Sequence, residues 1–299
     1  MAEYIIENEC LKVTIASRGC EIISVVNKSN GREYIWNGSP EAWKRHAPVL
    51  FPLVGRYRDD ESIYNGRSYH MTQHGFARDM EFSLVSKTDS EIKMSLTQTK
   101  ETKIKYPFNF CLTLGYRLSG NNLIASYDVL NTSDTDMYFS IGGHPAFAAP
   151  LDSKDTEGRV TAAGCEMLFE AKNKKQFLEY GLLNSEGLFI GESHKLQLEG
   201  GRVSITPEFF DADAYIVENS QFNSVSLLYR GKKFVTVEFD APVFGIWSPA
   251  HKNVPFVCIE PWYGRCDRAD FNKQLKDREW GNELSPQESF FREYKMIFS

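Results

Sequence analysis

Apolar and polar residues alternate through much of the chain. Ile92, Met94 and Leu96 share one side of EIKMSL, and Phe108, Phe110, Leu112, Leu114, Tyr116 and Leu118 do the same through FNFCLTLGYRL. LIASYDVL sets Leu123, Ala125, Tyr127 and Val129 against Ser126 and Asp128. FVTVEF sets Val235, Val237 and Phe239 against Thr236 and Glu238. Successive side chains of a strand point to opposite faces, so a repeat of two predicts half-buried antiparallel strands. Asn30-Gly31 and Asn65-Gly66 fall between such runs and predict tight hairpin turns. Helical spacing is scarce, and its best candidate is a short stretch over 269–278. Many strands, few short helices, no linker and no internal repeat predict an all-β chain, one large antiparallel β-sandwich domain over residues 1–299.

Composition narrows the function classes. Forty acidic residues against 34 basic ones give a formal charge of −6. That balance argues against a nucleic-acid partner, whose footprint is a basic patch or stripe. No apolar run approaches the ~18 residues of a membrane span. The opening MAEYIIENECLKVTIAS lacks the basic lead and apolar core of a signal peptide. The six cysteines form no CxxC pair, and a chain of 299 residues needs no disulfide staples. Reduced thiols and a cytoplasmic location are the expectation.

Five segments break the alternation. RHAPVLFPLVGRYRD carries Gly55 and Arg56, where a bend in the backbone aims a fork of donors either at ligand oxygens or at solvent. HMTQHGFARDMEF carries His70 and His74. In an extended chain these lie ~13 Å apart, too far to chelate one ion. No HExxH or Cys/His ligand cluster occurs elsewhere, so a metal is not expected. YFSIGGHPAF places His144 behind two glycines, and FFDADAYIVEN offers Asp211 and Asp213 ahead of a short strand. FVCIEPWYG ends an apolar run on Glu260 and surrounds it with Pro261, Trp262 and Tyr263. A carboxylate resists such surroundings unless it is paired or its pKa is raised. No GxSxG and no glycine-rich phosphate loop is present, so no cofactor is expected. Histidines, carboxylates, an arginine and many aromatics suit proton transfer on a small polar molecule, or the binding of a sugar.

In their order, VGR at 54–56, HGF at 74–76, GGHPAF at 142–147, DADAYI at 211–216 and CIEPWYG at 258–264 resemble the aldose 1-epimerase (galactose mutarotase) family, most closely its shorter LacX-type branch. The resemblance implies a large antiparallel β-sandwich and an isomerase that interconverts the anomers of a hexose or related sugar. It places the catalytic base on Glu260 and the general acid on His144. It makes His74, Arg56 and Asp213 substrate-binding residues, with Asp213 preferred over Asp211. The chain departs from galactose mutarotases around the acid and the base: Gly-Gly precedes His144, Pro145 follows it, and Pro-Trp follows Glu260. Galactose itself is therefore not implied. A hexose-phosphate mutarotase is the main alternative, with Arg45, Arg58, Arg78, Arg265 and Arg268 as candidate phosphate ligands. A sugar-binding protein without turnover and a glycosidase using Asp213 and Glu260 are the others.

Overall fold

The computed structural model describes residues 2–171, 173 and 175–299. The alternating segments are strands, and each buries the face its apolar residues predict. Glu91–Thr97 buries Ile92, Met94 and Leu96, while the Phe110–Ser119 and Asn122–Asn131 strands pair antiparallel with Leu118 opposite Leu123. The three lie side by side in a nine-stranded sheet that runs from Arg202–Ser204 at one edge to Ser83–Lys87 at the other. A second, six-stranded sheet contains Val49–Leu50, Ile141–Gly143, Ala146–Ala148, Tyr215–Val217, Val243–Trp247 and Phe256–Tyr263.

The two sheets share one apolar cluster. Val225, Val237 and Met296 from the first meet Ile141, Phe244, Val257 and Ile259 from the second. At Gly143 the approach is close, since a Cβ there would lie 2.7 Å from the hydroxyls of Tyr127 and Tyr294. This is the predicted sandwich, built from antiparallel pairs within each sheet. Asn65-Gly66 joins Glu61–Tyr64 to Arg67–His70, both turn residues having positive φ, as a two-residue hairpin turn requires.

The helical expectation needs correction. Residues 269–278 hold only a 3-10 turn at Leu275–Asp277. The α-helix among the described residues is Lys100–Lys105, started by a reciprocal cap in which the Thr99 and Thr102 side chains each accept from the other's backbone N–H. That Thr-x-x-Thr pairing satisfies two donors that a helix start leaves open.

All eight residues of Phe256–Tyr263 are buried, although only one face of the strand can meet the nine-stranded sheet. Val257, Ile259 and Tyr263 join the core between the sheets. Phe256, Cys258, Glu260 and Trp262 face the other way, where Phe256, Cys258 and Trp262 enter two smaller apolar clusters. The covered outer face of the six-stranded sheet is where chemistry-bearing side chains collect.

Candidate active site

Register brings the pieces together. Ile141, Gly142, Ala146 and Phe147 stand opposite Tyr263, Trp262, Cys258 and Val257. By the same register His144 stands opposite Glu260. On the other side, Glu260 pairs with Gly245, which pairs in turn with Ile216. One row across the sheet thus reads Ile216, Gly245, Glu260, His144, all on the outer face.

The glycines make room for an indole. A Cβ at Gly142 would come within 2.5 Å of Trp262 Cδ1, and one at Gly245 within 2.5 Å of the Trp262 ring edge. Trp262 therefore lies flat on the sheet beside Glu260, and its bulk limits water around the carboxyl. The Gly-Gly that precedes His144 has two separate uses, Gly142 toward Trp262 and Gly143 toward the buried tyrosines.

Glu260 is 1% exposed and His144 is 7% exposed. His144 Nε2 lies 3.2 Å from Glu260 Oε2. That contact lacks hydrogen-bond geometry, which leaves Glu260 Oε2 without a hydrogen-bond partner among the described residues, and the other ring nitrogen, His144 Nδ1, has none either. Buried polar atoms are nearly always satisfied, and these two orphans belong to residues that line one cavity, which points to a ligand there. Burial drives the Glu260 carboxyl well above the usual carboxylate range, with the Trp262 indole opposing the rise and Asp213 adding to it. Burial also pushes His144 down to about 3, opposed by the hydrogen bond of its own backbone and assisted by Arg78. Both shifts favour the uncharged side chains. Trp43 stacks on the His144 ring at 4.8 Å and Trp247 meets it edge-on at 5.4 Å, which fixes the imidazole.

His74 reaches the same cavity from a separate loop. Its Nδ1 accepts from the Gly55 N–H at 3.1 Å and its own N–H donates to the Gly55 carbonyl at 2.7 Å. With Nδ1 occupied as an acceptor, the neutral ring carries its proton on Nε2. Its pKa lies well below the usual histidine range, through burial first and then the neighbouring His144 and Arg78. The His74 and His144 rings meet at right angles, 5.6 Å apart. Gly55 and Gly75 both have positive φ, and a Cβ at Gly75 would strike the Phe51 carbonyl at 2.3 Å, so the loop packs this way only with glycines there.

Asp213 lines the cavity, and its Oδ1 accepts from Trp247 Nε1 at 2.6 Å. Asp211 does not line it and instead pairs with exposed His251 at 2.9 Å. Arg56 departs from its expected place. Its guanidinium makes a two-pronged pair with Asp60 at 2.6 and 2.7 Å and caps the Glu186 carbonyl at 3.1 Å, and it does not line the cavity. A carboxylate four residues downstream holds it. The arginine in the cavity wall is Arg78, held by a 2.8 Å bond to the Gln73 carbonyl, with its buried Nε lacking a hydrogen-bond partner. HGFAR carries it four residues after His74, the only sequence signal for it.

The cavity measures about 280 Å³ and is completed by Trp43, Leu183, Gly187, Ile216 and Cys266. His144, Cys258 and Glu260 place possible metal ligands within 4.8 Å of one another, the one such cluster among the described residues. Burial pushes the Cys258 thiol well up, and the charge of Glu260 adds to this, which works against the thiolate a metal needs. All six cysteines are free, and no helix among the described residues is long and apolar enough to cross a membrane.

Comparison with known proteins agrees with this picture. Residues 3–262 match the family model described as aldose 1-epimerase. The chromosomal protein LacX of Lactococcus lactis subsp. lactis is 29% identical over 300 residues, covering 97% of each chain. A galactose mutarotase related enzyme from Lactobacillus acidophilus has a structure that superposes with a TM-score of 0.92 at 35% identity, over 100% of this chain and 97% of that one. A galactose mutarotase-like protein from Lactobacillus casei superposes with a TM-score of 0.92 at 30% identity, over the full length of both. With the family model matched over residues 3–262 and a sandwich of antiparallel sheets shared with these relatives, the chain belongs to the aldose 1-epimerase family.

Proposed function

We propose that the protein is an isomerase that interconverts the α and β anomers of a free aldose by opening and closing its ring. The observation that carries this reading is the buried pair of Glu260 and His144, 3.2 Å apart with an unpartnered atom on each, facing a cavity of about 280 Å³. Anomer exchange needs a base at the O1 hydroxyl and an acid at the ring oxygen, two atoms bonded to the same carbon. The pair spans that distance and offers a base and an acid once Glu260 is a carboxylate and His144 an imidazolium, a state that differs from the neutral pair by one proton moved from Glu260 to His144 at no change in net charge.

Glu260 then takes the O1 proton as His144 protonates the ring oxygen, and the pyranose opens. Rotation about C1–C2 turns the other face of the aldehyde toward the ring oxygen. Reversing both transfers closes the ring in the other configuration. Acid–base assistance of this kind contributes ~10²–10⁴ in rate. His74, with its proton on Nε2, is a donor to the sugar, and Asp213 accepts from sugar hydroxyls in an orientation fixed by Trp247. Arg78 takes the anchoring role that the sequence resemblance assigned to Arg56.

A phosphorylated hexose is the second reading, and the unpartnered Nε of Arg78 favours it. Against it, Arg45, Arg265 and Arg268 are engaged by Asp79, by Glu218 and Glu279, and by Asp270, and Arg58 by the Phe271 carbonyl. None of these four lines the cavity, where Arg78 shares the wall with Asp213. Polarimetry on freshly dissolved α-glucose, α-galactose and glucose 6-phosphate separates the readings. Faster equilibration of the free sugars than of the phosphate supports the first, the reverse order supports the second, and no acceleration of any of them refutes both.

A further inference from the structure

A second cavity of about 530 Å³ lies behind the wall of the first. Ile216 faces both cavities, and the segment 181–191 forms the ridge between them. Leu183 and Gly187 line the cavity of Glu260, whereas Gly181, Phe189 and Gly191 line the other. Leu183 and Phe189 bridge across this ridge, and Gly181 pairs with Ile216, so both cavities rest on the same six-stranded sheet.

The second cavity is a built polar site. Arg265, 2% exposed, bonds Glu218 at 2.5 Å, Glu279, and the Cys266 carbonyl at 2.8 Å, with its guanidinium 4.1 Å above the Phe189 ring. Trp280 donates its indole N–H to Glu218 at 2.7 Å, and its backbone adopts a φ of +61°, a conformation that a bulky side chain rarely takes. Both bonds to Glu218 fall on Oε1, so Oε2 of this half-buried carboxylate remains free to accept from a ligand. Four glutamates and two arginines stand in the wall, and the buried arginine is already neutralised by two of those glutamates. Such a wall repels anions. Locked carboxylates beside a part-exposed indole suit an uncharged polyol, whose hydroxyls donate to the acids while a sugar face rests on the ring.

We propose that this cavity binds a neutral saccharide unit. The unit is either joined to the reducing sugar in the first cavity, reaching across the 181–191 ridge, or a separate molecule. The joined form rests on the function proposed above; binding itself does not. The test follows the Trp280 indole N–H by NMR in Glu260→Gln protein, which holds sugars without turning them over. The probes are glucose, maltose, lactose, methyl β-glucoside and glucose 6-phosphate.

The Trp280 resonance should shift with the neutral saccharides and not with the phosphate. Binding should weaken by roughly threefold to tenfold in Trp280→Ala, as followed by calorimetry, the size of one lost aromatic contact. Ser193→Leu, which fills the exposed rim, should weaken it similarly without touching the buried network. Disaccharides binding better than methyl glucoside, together with a fall in the disaccharide-to-monosaccharide ratio of kcat/KM in both variants of the native enzyme, identify the joined form. Equal binding of the two identifies the separate one. A Trp280 signal that no neutral saccharide moves, or one that only the phosphate moves, overturns the proposal. Neither result depends on turnover, so both are distinct from failure of the epimerase reading.

Discussion

Gly142→Ala tests how the sheet holds the catalytic carboxyl. Gly142 has no unusual φ, so alanine adds no backbone strain, and the whole effect is steric. The new Cβ would lie 2.5 Å from Trp262 Cδ1 and 2.9 Å from the Pro261 carbonyl oxygen. Carbon atoms in contact prefer separations of ~3.5–4.0 Å, so the indole must move by about 1 Å. It has little room, because its far edge already lies against Gly245. Overpacking of this kind costs ~1–3 kcal/mol. At roughly 2.1 cal/mol/K per residue, the unfolding entropy of such a chain makes that a fall in Tm of about 2–5 °C. Trp262 is two residues from Glu260, and a displacement of about 1 Å in the reacting geometry can cost 10²-fold in rate. Differential scanning calorimetry and polarimetry on one preparation read both effects. A Gly142→Ala protein that melts with the native one and keeps its activity would refute the role assigned to the Gly142–Trp262 contact.

Other consequences follow from the charge states and contacts. Ionisation of His144 should leave no step near the ~6.5 of an ordinary histidine, because burial holds it down at about 3, and the step that marks Glu260 should lie above the usual carboxylate range. An NMR titration that places the His144 imidazole near ~6.5 would contradict the assignment. Glu260→Gln should be more stable than native protein at alkaline pH by at least about 1–3 kcal/mol, because it removes a buried charge that lacks a partner. A carboxyl whose folded pKa is raised stabilises the fold most below its unfolded pKa and loses that contribution as pH rises through the folded value, so the advantage of glutamine should vanish toward pH 4 in urea melts. Arg78→Ala should raise KM or lower kcat by about tenfold or more, whereas Arg56→Ala should cost at most about 1 kcal/mol of stability, as for a part-exposed ion pair, with little change in kcat/KM.

Strands were legible where one face is wet, since Glu91–Thr97 and Asn122–Asn131 show their burial directly as alternation. Phe256–Tyr263 hides its period, because both faces are covered and only the identity of Glu260 marks the outer one. The absent helix at 269–278 and the helix found at Lys100–Lys105 show how little periodicity six residues can carry: Thr99 and Thr102 start that helix by capping, not by an apolar stripe. Glu260, His144, His74 and Asp213 come from distant segments and meet in one cavity, which no local pattern could show; their association was visible only through family resemblance. Arg56 lies outside the cavity wall for a local reason. Asp60 lies within reach of its guanidinium, and the motif that places the arginine carries no trace of that competitor. The His144–Glu260 pairing itself depends on strand register, which requires the sheet order to be known.

The most direct test is magnetisation exchange between the α and β anomeric protons of glucose or galactose at equilibrium, measured by two-dimensional exchange NMR. Native protein should produce α–β cross-peaks above the spontaneous background, and Glu260→Gln and His144→Ala should each lower the exchange rate by ~10²-fold or more. Native protein that leaves exchange at the spontaneous rate for these sugars and for hexose 6-phosphates, or a Glu260→Gln protein that exchanges anomers as fast as native, would contradict the account.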